Sequence, residues 1–213
     1  GDINDFYYFC NGSTDNVQIS TLVQNFLNGS TNDNRKMKLH ICGTFGATAP
    51  AAGSGTGAVK YRWFNFAATA TTNRQVTLDF YNCSPITIAA TSVGTFNSVF
   101  YGGNFNIEGL TLAVGSAMTT VSNFCGVDGA AINTPISFTD CNITIEAVGN
   151  ASDMYFAQFG TFTNCKIVMI CAASPAITAV FYATSNSDIK IFGGKYYAYT
   201  TGSSNVASGI YSP

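Results

Sequence analysis

The chain has 213 residues, of which only 9% are charged, and its net charge is −2 at pH 7. Hydrophobic residues make up 46% and aromatic residues 14%, which supplies enough apolar area for a core and excludes intrinsic disorder. The few Lys and Arg residues are scattered, which excludes a nucleic-acid-binding surface, and the scarcity of charged helix formers excludes a helical bundle. We therefore expect an all-β protein with a polar, weakly charged surface.

The first 36 residues contain the one helix that the sequence predicts. A cluster of capping residues at 13–16 precedes apolar residues at three- and four-residue spacing, and Asn28-Gly29 ends the pattern. The residues predicted to share one face of a helix over about 17–27 are Val17, Ile19, Leu22, Val23, Phe26 and Leu27. We therefore divide the chain into an entry segment with a capping helix, residues 1–36, and one continuous β domain, residues 37–213.

Beyond residue 36, the pattern indicates short strands. Residues 37–43 alternate between apolar and polar side chains and end at a glycine, and residues 61–66 alternate with aromatic residues. The small residues at 46–59 are typical of a loop. No run of 18 apolar residues is present, so we expect no membrane insertion.

A short corner pattern recurs along the β domain: an aromatic residue, a spacer, Asn or Asp, and then Cys or Gly before alternating aliphatic residues. Aligned on the last of these corner residues, the copies are centred on Cys83, Gly109, Cys141, Cys165 and Gly194. One strand–turn–strand unit cannot bury its inner face alone, so its repetition indicates stacked units. We predict a right-handed parallel β-helix and prefer it to a Greek-key β-sandwich, in which the same corner would not recur.

Cysteine and histidine usage gives no support for a metal or a cofactor. The seven cysteines include no CxxC pair, and His40 is the single histidine. We interpret the cysteines as buried, reduced and acting as small apolar residues. A nucleophilic triad would have to use His40, which we interpret instead as a partly exposed histidine on the first strand of the β domain.

The entry segment resembles that of pectate-lyase-like β-helices in bacteriophage tailspikes. In that family, a G-D-G-x-T-D-D turn leads into a short capping helix and then into a first strand. Residues 10–16 (Cys-Asn-Gly-Ser-Thr-Asp-Asn) and the strand at 37–43 follow this pattern, with Cys10-Asn11 replacing Gly-Asp and Asn16 replacing the last Asp. The motif covers about residues 10–46, and the general repeat covers 76–200.

The resemblance implies a homotrimeric tail fibre or tailspike in the virion tail, made in the host cytoplasm and exposed to the host cell surface. Its implied partners are other tail proteins and a host surface polysaccharide or protein receptor. The function expected is receptor recognition and attachment, without catalysis in this stretch. Two alternatives stay open: a polysaccharide depolymerase, either hydrolase or lyase, and a bacterial surface adhesin of the same fold.

A depolymerase would need two carboxyl groups on one accessible face. The candidate acids are Glu108, Glu146, Asp128 and Asp153, and a meeting of Glu108 with Glu146 across stacked units would favour the depolymerase. Asp140 occupies the corner position of Asn82 and Asn164, which favours a turn residue that bonds its own backbone over a catalytic acid.

Tyr and Trp offer a flat apolar face with a polar edge, which suits sugars and protein contacts. The two regions that we single out lie around residues 61–63 and near the C-terminus, where Tyr196 and Tyr197 must point to opposite faces of a strand. The candidate receptor-binding residues are Tyr61, Trp63, Tyr196, Tyr197 and Tyr199.

Overall fold

The chain is mostly β, as predicted, and in its described part it contains parallel sheets and one helix, α1 (Asp15–Leu27). The computed structural model describes residues 3–28, 33–46, 51–53, 60–66, 73–88, 96–115, 123–126, 135–147, 153–171, 177–183, 187–201 and 206–212. The helix lies where the sequence predicts it, with Ile19, Val23 and Leu27 buried. Val17 and Leu22 are exposed, so the apolar face is narrower than the predicted one.

Sheet 1 is a fully parallel sheet that contains the first strand of the chain. In spatial order its strands are β1 (Ile3–Phe9), β2 (Lys36–Cys42), β5 (Gln75–Asp79), β8 (Phe105–Glu108), β11 (Ile136–Thr139), β14 (Gly160–Thr163) and β17 (Ile189–Phe192). The sequence did not predict β1. Because β1 pairs along its whole length with β2, the entry segment belongs to the same sheet as the β domain.

Two further sheets are present in the described part of the chain. Sheet 2 contains β6 (Ile86–Ile88), β9 (Thr111–Val114), β12 (Asn142–Ala147), β15 (Lys166–Cys171) and β18 (Lys195–Thr200). Sheet 3 contains β3 (Ala51–Gly53), β4 (Lys60–Phe66), β7 (Phe96–Gly102), β10 (Asn123–Gly126), β13 (Asp153–Ala157), β16 (Ile177–Tyr182) and β19 (Val206–Tyr211). Its β3–β4 pair is antiparallel, and β3 lies inside the segment that the sequence predicted as a loop.

From β5 onward the chain visits sheets 1, 2 and 3 in that order five times. Equivalent inner residues therefore stack on one another, and they form one hydrophobic core. In sheet 1 one such row runs Leu78, Ile107, Phe138, Phe162 and Ile191. Helix α1 packs against β4 and β5, at the end of the core where the chain begins.

The pairing register corrects the alignment of the repeat at Gly109. Because Glu108 pairs with Thr139, Gly109 is equivalent to Asp140, and Leu110 takes the place of Cys141. Gly109, Asp140, Asn164 and Gly193 all have positive φ, between 51° and 70°. The corner therefore needs a residue that tolerates the left-handed conformation, which Asn, Asp and Gly do.

The side chains at this corner bond to other turns of the chain, which differs from the predicted bonding to their own backbone. Asp140 accepts hydrogen bonds from the Tyr81 hydroxyl and from the Asn164 side-chain amide, each at 2.7 Å. These two bonds lower the pKa of Asp140. The next residues, Cys141 and Cys165, are buried as predicted, and each thiol donates to a main-chain carbonyl at 3.3 Å.

Gly109→Ala is expected to destabilise the fold by about 2–3 kcal/mol, against about 1 kcal/mol for Gly193→Ala. Both glycines have positive φ, so both substitutions carry the backbone cost. A Cβ at Gly109 would lie 2.5 Å from the Tyr81 ring, whereas nothing lies within 4 Å of one at Gly193. Urea unfolding of the two variants measures the difference. Equal losses would mean that the Tyr81 ring moves aside at no cost.

Candidate functional site

The outer face of sheet 2 carries a regular grid of side chains, which we call the tyrosine face. It is built from the outward residues of β12, β15 and β18, which the parallel register places side by side. Its three rows are Asn142–Lys166–Lys195, Thr144–Val168–Tyr197 and Glu146–Ile170–Tyr199. All three strands pair in register over this stretch, so the grid is held on a rigid surface.

Two exposed tyrosines form the apolar part of this face. Tyr197 and Tyr199 are 40% and 50% exposed, and their rings are stacked with centroids 6.1 Å apart and planes inclined by 18°. Residues two apart on a strand point to the same side, which explains the alignment of the two rings. The pair presents a continuous flat surface of the kind that sugars and flat apolar groups contact.

Charge is distributed unevenly over the tyrosine face. Lys166 and Lys195 are directly opposite each other on β15 and β18, and both are exposed. Glu146 is exposed at the other end of the grid, in the row of Tyr199. The face therefore has a positive end at the two lysines and a negative end at Glu146. The Tyr197 ring lies in the row between these ends, and the Tyr199 ring lies in the same row as Glu146.

Tyr197 and Tyr199 are the predicted binding residues that the structure brings together on the surface. Tyr196 points inward, as the alternation predicted for one of the pair, and packs against Phe181 at 5.1 Å between ring centroids. Burial raises the pKa of Tyr196 to about 12. Trp63 is only 5% exposed, which leaves little of its ring accessible to a receptor.

The other predicted residues are placed only in part. The Tyr61 and Asp153 side chains and the whole of Asp128 lie outside what the structure describes, although the backbones of Tyr61 and Asp153 belong to β4 and β13. Glu108 ends β8 in sheet 1, while Glu146 lies on β12 in sheet 2. The two acids thus belong to different sheets and are not cross-strand neighbours, so the pair that would favour a depolymerase is not formed by them.

The outer face of sheet 1 carries a second group of side chains, the charged cluster, which the sequence did not predict. Lys38 Nζ lies 3.0 Å from a carboxylate oxygen of Glu108 and 3.5 Å from one of Asp79. His40 bonds Asp79 through Nδ1 at 2.8 Å and Asp5 through Nε2 at 3.2 Å. His40 is half-buried, which confirms its interpretation as a partly exposed strand residue.

The acids of the charged cluster are already engaged by neighbouring groups. The hydrogen bond that Lys38 donates to the Glu108 carboxylate raises the pKa of Lys38, so the ammonium stays charged between Glu108 and Asp79. Asp79 also accepts the backbone N–H of Tyr81 at 3.0 Å and is 8% exposed. Such mutual neutralisation is typical of a cross-strand ion-pair network that stabilises a sheet.

Aromatic residues at the edge of sheet 1 were also missed. On β1, Tyr7 and Phe9 are 64% and 74% exposed, and the Tyr7 ring stacks on His40 with centroids 4.7 Å apart. Phe6 is 51% exposed at the same edge. Their apolar character was visible in the sequence, but their exposure depends on the fold: Tyr7 and Phe9 lie on the outer face, in register with His40 and Cys42, and Phe6 lies on the opposite face of the outermost strand.

Within the described residues, no group of three or more His, Cys, Asp or Glu side chains is arranged to hold a metal ion, and no helix there is long and apolar enough to span a membrane. The cysteines whose side chains are described carry free thiols.

No family model, curated protein or solved structure matches this chain.

Proposed function

We propose that the chain is a right-handed parallel β-helix that recognises a receptor on the host cell surface as part of a bacteriophage tail fibre or tailspike. The β-helix is supported by the recurring order of three sheets, each of which gains one parallel strand per pass of the chain. The recognition function is supported by one observation above all, the exposed Tyr197–Tyr199 stack on a rigid sheet.

The entry segment supports the tailspike resemblance through its hydrogen bonds. The Asp15 carboxylate, at the start of α1, accepts the backbone N–H groups of Asn11, Gly12 and Gly46 and the hydroxyl of Tyr8. The acidic residue of the turn thus ties the turn, the helix and the segment after β2 together. This is a structural reason for an acid at that place in the motif.

A homotrimer, with other tail proteins as further partners, is part of the same proposal. It is supported by the exposed aromatic residues of β1, because large apolar side chains grouped at a sheet edge are typical of contact surfaces. A fibre module in the virion tail would bind a host polysaccharide or a protein receptor through its uncovered faces. The tyrosine face suits this role because it exposes the stacked rings of Tyr197 and Tyr199.

A polysaccharide depolymerase is the second candidate, and the charged cluster is the observation that favours it. Asp79 and Glu108 are cross-strand neighbours on one outer face, which is the type of arrangement that a carboxylate pair needs. Both acids, however, share the Lys38 ammonium, and Asp79 also bonds His40. We therefore favour binding over catalysis for this chain.

The recognition proposal is tested by measuring native mass and binding to bacterial cells. Light scattering is expected to give three times the 22.5 kDa chain mass. Labelled protein is expected to bind saturably to at least one strain of a broad panel, and Tyr197→Ser with Tyr199→Ser to weaken that binding at least about tenfold. Phe192→Ser, which alters an aromatic residue 60% exposed on sheet 1, is the matched control and should bind normally.

Two results would count against this proposal. A monomer would contradict the trimeric fibre and favour an adhesin or a secreted glycan-active protein of the same fold. Equal losses in the Tyr197/Tyr199 and Phe192 variants would show that the tyrosine face has no special role in attachment.

A further inference from the structure

The paired lysines of the tyrosine face are unusual in a chain with so few charges. Lys166 and Lys195 are direct cross-strand partners, and like charges in that position destabilise a sheet. Lys38, by comparison, has two carboxylate neighbours, and Lys190 has Asp188 at 3.1 Å. Among the described residues, no carboxylate forms an ion pair with Lys166 or Lys195, so the charge of this pair is not neutralised there.

The lysine pair adjoins the aromatic surface. Lys195 and Tyr197 point to the same side of β18, about 7 Å apart along the strand. One monosaccharide residue can span that separation, with its ring on an aromatic face and a substituent at the ammonium groups. Glu146, at the far end of the grid, repels a negative group there, so the charges favour one orientation of an acidic ligand.

We infer that the tyrosine face binds a carboxylated polysaccharide, with a sugar carboxylate between Lys166 and Lys195 and a pyranose ring on Tyr197. This inference rests on the proposed recognition function and specifies its ligand class. Neutral glycans would use the two rings but leave the lysine pair unpaired. A protein receptor would be expected to cover a wider area than the nine positions of this grid.

The experiment measures binding of the whole chain to polymers of defined charge. The acidic probes are polygalacturonate, alginate, hyaluronate and polysialate, and the neutral ones are dextran and methyl-esterified polygalacturonate. Wild type is expected to bind at least one acidic polymer, with affinity that falls as NaCl is raised. Lys166→Gln with Lys195→Gln should weaken this binding about tenfold or more, whereas Lys190→Gln should leave it unchanged.

A second readout separates loss of binding from loss of folding. Removing both of the opposed like charges should leave the urea unfolding midpoint unchanged or slightly higher, so a double variant that is stable but binds weakly supports a direct contact.

The outcomes also separate this inference from the recognition proposal. Wild type that binds bacterial cells or neutral polymers, but none of the four acidic ones, overturns the inference alone. Equal binding of an acidic polymer by wild type and by the Lys166→Gln, Lys195→Gln double variant also overturns the inference alone. Wild type that binds neither cells nor any polymer overturns both.

Discussion

Asp15→Ala is expected to lower the free energy of unfolding by about 3–5 kcal/mol. Asp15 is fully buried, and its carboxylate accepts four hydrogen bonds: Tyr8 Oη at 2.7 Å, Asn11 N at 3.0 Å, Gly12 N at 3.2 Å and Gly46 N at 2.7 Å. Removal of the carboxylate leaves these four donors without their acceptor at the junction of three chain segments. Urea unfolding monitored by circular dichroism measures the loss.

The same variant is expected to reduce the acid sensitivity of the protein. Burial alone would raise the pKa of Asp15, but the bonds from Gly46, Asn11, Tyr8 and Gly12 outweigh it and lower the pKa below its ordinary value. The stability that Asp15 contributes is therefore fully present above its unfolded pKa of about 4 and is lost as the pH falls through the folded pKa. Wild type should lose stability more steeply than Asp15→Ala below about pH 4.

Asp188→Asn is the matched control, because Asp188 is exposed and forms a surface ion pair with Lys190. Its cost should stay within about 0.5 kcal/mol. Tyr8→Phe is a milder probe of the same junction, since it removes one of the four donors and keeps the ring. A cost below about 1 kcal/mol for Asp15→Ala would mean that solvent replaces the carboxylate and that the junction does not depend on it.

The sequence predicted the helix and, except for β1, the strands of sheets 1 and 2, because their inner and outer residues alternate. Ile143 and Ile145 are buried, with the more polar Asn142 and Thr144 on the other side, as the pattern required. Sheet 3 was mostly missed because its strands do not alternate in the same way. In β16, four consecutive residues at 178–181 are buried, so no period of two is visible.

In the candidate site as well, features that are set within one strand were easier to predict than contacts between successive turns of the chain. The opposite orientation of Tyr196 and Tyr197 follows from one strand and was predicted correctly. The alignment on Cys165 and Gly194 places Lys166 and Lys195 at the same position, and the pairing register agrees with it. The Lys38–Glu108 bond joins strands whose register that alignment does not give, because unequal loop lengths hide it from the sequence. Glu108 ends β8 before the corner and Glu146 lies on β12 after it, so the two acids are separated by their sheets.

The register also explains why the chain contains so many phenylalanines. Phe138 is fully buried, with the Phe100, Phe156 and Phe162 ring centroids 5.3–5.5 Å away. Phe138 and Phe162 are cross-strand partners and are stacked with planes inclined by only 4°. Aromatic residues of sheets 1 and 3 thus meet in the interior, so the inner faces of these sheets contribute shape-specific packing as well as apolar area.

Phe138→Ala is therefore expected to destabilise the protein by about 3–5 kcal/mol, through lost burial and through the cavity left among three rings. The neighbouring rings are held in place by their own strands, so the cavity cannot collapse fully. Phe192→Ala, at an exposed position two turns along sheet 1, should change stability by less than about 0.5 kcal/mol. Urea unfolding of both variants gives the comparison.

The site of the cavity matters for function as well as for stability. Phe138 lies in sheet 1, and the tyrosine face lies on the outside of sheet 2, so a folded Phe138→Ala variant should keep its affinity for the ligand of that face. A fall in affinity at temperatures where the variant remains folded would mean that the packing of the core controls the geometry of the Tyr197–Tyr199 stack. A small loss of stability would instead show that the surrounding strands move inward to fill the space.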